Sequence, residues 1–228
     1  AEVERVLMSK GISSDGVGIT KEDAANVTSI STWFKGNTTI QTFDELQYFT
    51  GMTTIPKNAF AGCTNLKSCK IPDSVTEIGN DAFASSGIES IVANGVVKIN
   101  AASFNACSDL TSVDIPNAQY INGLDDKYGA FNNCTSLRYV NMPNARTIDS
   151  TSFTRCPIEN DQILLHLETL GKDVFNYAQF SKLVAPKLKT IGNTSFSKCD
   201  NLEVMLLRDI ESIAGYSNYE TFRDCTKL

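Results

Sequence analysis

Apolar positions along this chain recur with a long period. The block Ala59-Phe60-Ala61-Gly62-Cys63-Thr64-Asn65-Leu66 returns as Ala130-Phe131-Asn132-Asn133-Cys134-Thr135-Ser136-Leu137. It returns again from Ser103-Phe104 to Leu110 and from Ser195-Phe196 to Leu202, with weaker copies starting at Phe83, Phe153, Phe175 and Phe222. Successive Phe spacings are 23, 21, 27, 22, 22, 21 and 26 residues, so a unit of about 22 residues repeats seven times and an eighth is begun. Each unit has three pieces. Ala, Phe and Cys at i, i+1 and i+4 share one face of a short helical turn. A period of two follows, as in Leu110-x-x-Val113-Asp114-Ile115 and Leu137-x-x-Val140-Asn141-Met142, which predicts a short half-buried strand. Pro72, Pro116, Pro143 and Pro186 close several of these strands, because proline cannot donate to a ladder. The third piece ends on an apolar anchor five positions before the next Phe: Ile78, Ile99, Ile148, Leu170 and Ile191.

One such unit cannot close a core, whereas stacked units share a continuous one, so the pattern predicts a solenoid over residues 41–228. Residues 1–40 lie outside the repeat and are expected to form a helical cap over its first edge. Glu2 to Ser9 places Val3, Val6 and Leu7 on one helical face. Thr20-Lys21-Glu22-Asp23 has the form of a capping box with Asp in place of Glu. Trp33 and Phe34 are the expected anchors of the cap.

The consensus Ala-Phe-x-x-Cys-x-x-Leu-x-x-Ile-x-Ile-Pro-x-x-(Val)-x-x-Ile-Gly resembles the BspA-type (Treponema pallidum-type) leucine-rich repeat of surface and secreted proteins from Bacteroides-like bacteria. Ile71-Pro72-Asp73-Ser74-Val75-Thr76-Glu77-Ile78-Gly79-Asn80-Asp81-Ala82-Phe83 is close to that consensus, and the entry segment from Thr42 to Ile55 is similar to those that open such arrays. The resemblance covers about residues 40 to 228. It implies a right-handed α/β solenoid of seven to eight units, an extracellular or cell-surface location, and a role in adhesion or protein recognition with no catalytic residues.

Charge and composition narrow the chemistry. Twenty Lys and Arg stand against 26 Asp and Glu, a net charge of −6 over 228 residues, and no basic cluster exceeds two residues. A nucleic-acid partner, which needs a basic face, is not expected. No apolar run reaches the ~18 residues needed to span a bilayer, and residues 1–5 do not open a signal peptide. Six of the seven cysteines (Cys63, Cys107, Cys134, Cys156, Cys199 and Cys225) sit three residues after the repeat Phe, where the other two units carry Ser86 and Ala178. The slot therefore asks for a small buried side chain, and a ladder of free thiols is expected over one or two disulfides. Cys69 fills an inward strand position.

No metal or cofactor site is expected: no two cysteines lie two to four residues apart, and His166 is the single histidine. His166 is expected to be an exposed polar residue in the most degenerate unit, where Glu159 and Gln162 occupy positions that other units fill with apolar residues. The segment from Ser13 to Asp23 has some likeness to a calcium loop, but Asp15 is nearly its only early carboxylate.

Function must then lie in what the repeats do not share. The outward strand columns run Lys70, Val92, Asp114, Asn141, an uncertain Ile163, Val184 and Leu206, and Ser68, Ser90, Ser112, Tyr139, Lys182 and Val204. Val184, Val204 and Leu206 are expected side by side as an exposed apolar cluster. Two insertions carry Tyr128, Tyr216 and Tyr219 on loops. The candidate partner-binding residues are therefore Tyr128, Tyr139, Val184, Val204, Leu206, Tyr216 and Tyr219. The expected partner is a protein, such as a host matrix or surface protein, and the same C-terminal strand face would support a homodimer. The alternatives are a structural scaffold or self-assembling spacer, and a glycan-binding surface protein.

Overall fold

The computed structural model describes residues 1–123, 128–214 and 218–228, with the side chains of residues 218 and 219 left out. Two series of parallel strands alternate along the chain. The first comprises β1 (Thr42–Phe43), β3 (Ser68–Cys69), β5 (Ser90–Val92), β7 (Ser112–Asp114), β9 (Tyr139–Asn141), β11 (Gln162–Ile163), β13 (Lys182–Val184) and β15 (Val204–Leu206). The second comprises β2 (Thr54–Ile55), β4 (Glu77–Ile78), β6 (Lys98–Ile99), β8 (Tyr120–Ile121), β10 (Thr147–Ile148), β12 (Thr169–Leu170), β14 (Thr190–Ile191) and β16 (Ser212–Ile213). The second series forms one unbroken eight-stranded sheet, whereas the first is divided into β1–β3, β5–β7–β9 and β11–β13–β15. Register follows the repeat: Ile78, Ile99, Ile121, Ile148, Leu170, Ile191 and Ile213 stand opposite one another in a single inward row. The predicted solenoid is thus a parallel β-solenoid of stacked turns.

The third side of each turn differs from the expected helix. Residues two before and two after the repeat Phe take positive φ, as at Asn58 and Gly62, Asp81 and Ser85, Ala102 and Ala106, and Thr194 and Lys198. Left-handed residues four positions apart cannot build an α-helix. They instead turn alternate N–H groups toward the next coil. Phe60 N–H donates to Ala82 O at 2.7 Å, Phe83 to Ser103 O at 2.7 Å and Phe104 to Ala130 O at 2.7 Å, and Ser85 and Ala106 donate likewise to Asn105 and Asn132. Hydrogen bonds between coils therefore run on all three sides, which satisfies backbone groups that a bare turn would leave buried and unpaired. The α of the expected α/β class is confined, among the described residues, to the short helices at the two ends of the chain.

The Phe side chains form one column through the core. Rings from Phe34 through Phe60, Phe83, Phe104, Phe131, Phe153, Phe175 and Phe196 to Phe222 stack at centroid distances of 4.9 to 5.9 Å. Phe34 belongs to this column, so the stack reaches back into the segment expected to be the cap. Two helices lie beyond it, α1 (Glu2–Ser9) and α2 (Lys21–Ala25), with Val6, Leu7 and Ala24 buried in the same core. The capping box is formed: Thr20 Oγ1 accepts from Asp23 N–H while the Asp23 carboxylate accepts from Thr20 N–H. These hydrogen bonds from Thr20 and Ser14 hold the Asp23 carboxyl down at about 2.

All seven cysteines are free. Each of the six repeat thiols donates to the carbonyl of the Phe one coil earlier: Cys63 to Phe34, Cys107 to Phe83, Cys134 to Phe104, Cys156 to Phe131, Cys199 to Phe175 and Cys225 to Phe196, at 2.9 to 3.1 Å. The slot therefore asks for more than small volume, since a thiol supplies a weak donor to a carbonyl on the neighbouring coil. Burial pushes the Cys63 thiol up to about 11 and that of Cys107 to about 12.

Candidate partner-binding face

The strand face carrying the first series is shaped by its two breaks. Between β9 and β11 the ladder is interrupted by one extra residue. Glu159 N–H still donates to Arg138 O at 2.8 Å, the ordinary link between coils at this position. From Arg138 the next inward residue, Val140, is two positions on, whereas from Glu159 the next inward residue, Gln162, is three. That surplus is a β-bulge, with Asn160 and Asp161 on the longer strand. Asn160 repairs the ladder with its side chain. Its Oδ1 accepts from Val140 N–H at 2.9 Å and its Nδ2 donates to Val140 O at 2.9 Å, so one carboxamide replaces a peptide group of the missing strand. Asp161 does the same toward the other neighbour, accepting from the N–H groups of Ser181 and Lys182.

The bulge decides which side chains face outward. Gln162 pairs with Leu183, and Ile163 with Val184 and, through it, Leu206. Gln162 is turned into the core at 2% exposure, where its Nε2 donates to Asn160 O at 2.8 Å. Glu159, expected at an apolar position, is exposed because Ile158 fills that slot. Ile163 and Leu165 point out at 54% and 47% exposure. The gap itself is a cleft of about 460 Å³ bordered by Tyr139, Pro143, Asn144, Ile163, Leu165 and His166. A second cleft of about 540 Å³ marks the other break, between β3 and β5, and carries Asp44, Lys70 and Asp73.

The predicted residues fall into two groups. Val184 and Leu206 are neighbours in one row with Ile163, and Val204 lies beside Lys182 in the adjacent column. Leu206 and Val204 are exposed and Val184 is half-buried, as are Met205 and Leu207 on the core side of the last coil. Tyr139 is exposed on β9, at the edge of the cleft. Tyr128 is exposed too, but on the loop after β8, where its carbonyl accepts from Ala102 N–H, and it does not join the row. Tyr216 lies outside the described residues, and of Tyr219 only its place in α3 (Asn218–Thr221) is described.

Leu165 escaped the sequence reading. A reading that allowed for an Asn-Asp bulge would have found it, since Leu165 then falls on the outward parity with Ile163. His166 is half-buried rather than exposed and stands between the β9–β11 cleft and a third one of about 440 Å³ lined by Asn94, Asn117, Asn144 and Arg146.

Charge around the face is largely consumed in pairs between coils. Lys67 reaches Asp109 at 2.7 Å and Glu89 at 3.4 Å, Arg138 reaches Glu159 at 3.1 Å, and Arg146 reaches Glu168 at 3.2 Å. These are exposed pairs, each worth at most about 1 kcal/mol, and they set no strong field. Among the described residues no three His, Cys, Asp or Glu side chains gather as a metal-holding group. Asp15, the carboxylate of the calcium-like segment, is engaged by its own loop, accepting from Ser13 Oγ and Val17 N–H. No described helix is long and apolar enough to cross a membrane.

A parallel solenoid with a stacked aromatic spine and a broken, decorated strand face defines the class of protein as a leucine-rich repeat array. The BspA type leucine rich repeat region matches in six copies over residues 28–126 and 127–228, and the chain belongs to that family. No curated protein matches it. Among solved structures it is similar to a leucine-rich repeat protein from Bacteroides ovatus, with 19% identity over 78% of this chain and 58% of that one and a TM-score of 0.58. Also similar are the pneumococcal vaccine antigen PcpA (16% identity, 70% and 57% coverage, TM-score 0.49) and a leucine rich cell surface protein from Faecalibacterium prausnitzii (23%, 75% and 43%, TM-score 0.47). The chain spans about half the length of these structures.

Proposed function

We propose that this protein is a non-enzymatic recognition module, outside the cell or at its surface, that binds a protein partner through the strand face. The observation that carries this reading is the apolar row Ile163, Val184 and Leu206, flanked by Leu165, Val204 and Tyr139, on a scaffold whose earlier outward columns are mostly polar. Contiguous exposed apolar residues on a rigid element mark interaction sites, whereas single ones do not. Family membership supports the reading, because repeats of this type carry no catalytic set, and His166 makes no hydrogen bond to a nucleophile or carboxylate among the described residues. The surface location rests on the same kinship.

The test is surface plasmon resonance of the chain against immobilised purified matrix and cell-surface proteins. A bound protein lost at least tenfold to the combined Ile163→Asp, Leu206→Asp and Tyr139→Ala variant, with an unchanged melting curve, supports the reading. Unaltered binding by that variant removes the strand face as the site. A second reading, self-association, is favoured by the row running up to β15. Light scattering that shows a dimer dispersed by Leu206→Asp would select it.

A further inference from the structure

We propose that Cys199 and Cys225 form an oxidisable dithiol, a modification site that a low-molecular-weight disulfide converts to one intrachain bridge tying the last described coil to the coil before it. The inference stands apart from the strand-face reading and uses none of its residues.

Register brings the two residues together. Each lies three positions after a Phe of the column, and the rings of Phe196 and Phe222 stack at 5.7 Å. The residues just before them, Lys198 and Asp224, take left-handed φ of 60° and 62°, so the two turns share one backbone form. The turns are also bonded directly: Phe196 N–H donates to Thr221 O at 3.0 Å and Lys198 N–H to Arg223 O at 2.7 Å. Hydrogen-bonded neighbours of this kind lie about 4.8 Å apart, inside the range of about 4.4 to 6.8 Å between Cα atoms that a disulfide spans. The two side chains point the same way, since each thiol donates to the Phe carbonyl one coil earlier, Cys199 to Phe175 at 3.1 Å and Cys225 to Phe196 at 2.9 Å. The side chains also hydrogen-bond to each other.

Access singles out this pair. The coil of Ser86 separates Cys63 from Cys107, and the coil of Ala178 separates Cys156 from Cys199. Cys107, Cys134 and Cys156 stand on consecutive coils, but all three are buried, whereas Cys225 is half-buried. A small reagent therefore reaches the Cys225 sulfur without opening the core. The Cys199 thiol bonded to Cys225 holds it below the ordinary thiol value, which favours the attacking thiolate.

The chemistry balances in two exchanges. The Cys225 thiolate attacks one sulfur of the small disulfide, forming a mixed disulfide and releasing one small thiolate. Cys199 then loses its proton and attacks the Cys225 sulfur, which forms the bridge and releases the second small thiolate. Two protons leave the protein, and its two electrons reduce the reagent to two thiols. Closure moves the Cys225 sulfur off the Phe196 carbonyl, a weak thiol bond.

The oxidant for the test is bis(2-hydroxyethyl) disulfide at mildly alkaline pH, on the folded chain. Two of the seven thiols should disappear when titrated in denaturant, peptide mapping should return a single Cys199–Cys225 link, and dithiothreitol should restore all seven. Lys198 N–H, which bonds across the two coils, should exchange at least about tenfold more slowly in the oxidised chain. Cys199→Ala, which copies Ala178 in the same slot, should stop at a mixed disulfide on Cys225. Cys225→Ser, which copies Ser86, should keep all its thiols, and either variant serves if the other does not fold. Seven thiols retained, a lasting adduct on Cys225 with no link, a bridge between other cysteines, a Cys225 link between two chains, or unchanged exchange at Lys198 overturns the proposal.

Discussion

Asn160→Ala tests whether one side chain does the work of a strand. In the native chain the Val140 N–H and C=O both end on the Asn160 carboxamide at 2.9 Å, and Val140 itself is 1% exposed. Truncation removes both partners at once. Each lost hydrogen bond costs about 0.5 to 1.5 kcal/mol, and a donor or acceptor left buried without a partner costs about 1 to 3 kcal/mol. Asn160 is only half-buried and borders an open cleft, so water reaches part of the vacated space. A net loss of about 1 to 3 kcal/mol is therefore expected, the lower end corresponding to full rehydration. Urea unfolding measures the loss, and amide hydrogen exchange locates it. Val140 N–H should exchange roughly tenfold faster or more, since each 1.4 kcal/mol of lost protection is a factor of ten. Asn160→Asp separates the two bonds, because a carboxylate still accepts from Val140 N–H but cannot donate to Val140 O. It should keep the amide protection and lose part of the stability. An Asn160→Ala protein within about 0.3 kcal/mol of wild type, with Val140 exchange unchanged, would refute the repair of the ladder by this residue.

Phe131→Ala, in the middle of the column with rings at 4.9 and 5.0 Å on either side, should destabilise by about 3 to 5 kcal/mol in urea unfolding. Ala106→Gly should raise the melting temperature: Ala106 is exposed at φ 59°, and relieving about 1 to 2 kcal/mol of left-handed strain outweighs the 0.5 to 1 kcal/mol of added chain entropy. Gln162→Leu should stabilise by about 1 kcal/mol, since it exchanges a core amide with one hydrogen bond for an apolar side chain. Alkaline stability should fall early. The Cys63 and Cys107 thiols ionise at about 11 and 12 in the fold against an ordinary value of 9, so their contribution is complete below pH 9 and is lost as pH rises from 9 through 11 to 12. The slope should approach about 1.4 kcal/mol per pH unit for each such thiol, and Cys63→Ser with Cys107→Ser should flatten it.

Much of the fold was legible because its determinants are periodic. Phe every 21 to 27 residues gave the stack, and the anchor five positions earlier gave the unbroken second sheet. The form of the Phe turn was not legible. The i, i+1, i+4 spacing of Ala, Phe and Cys suits a helix, but left-handed residues such as Arg155, Tyr177 and Lys198 carry no signature in their side chains. What selects them is the hydrogen bonding of each turn to its neighbour, a property of the stack rather than of any one segment. The thiol slot was found as a position, while its donor role needed the Phe carbonyl of the preceding coil. On the strand face, Leu206 and Val204 were legible because their strands alternate regularly. Ile163 was placed in the outward column by its offset from the other units, while the bulge that puts it there was not legible, because counting by twos from Glu159 points Asp161 and Ile163 inward.

That last discrepancy bears on function. A strand running straight on from Glu159 would turn Ile163 and Leu165 inward, but it would also bury the Asp161 carboxylate and expose Leu164. The bulge reverses it, burying Gln162 and Leu164 and turning Asp161, Ile163 and Leu165 out. The reversal stands because Asn160 and Asp161 complete the backbone ladders on both sides, so the irregular register leaves no peptide group at Val140, Ser181 or Lys182 unpaired. In an array where neighbouring coils agree on which side chains face the core, a coil whose bulge keeps a carboxylate out of the core, repairs its own hydrogen bonds and turns Ile163 and Leu165 outward changes what the surface displays. The exposed row begins at that coil and continues through Val184 to Leu206. The recognition face therefore starts where the repeat departs from its own rule.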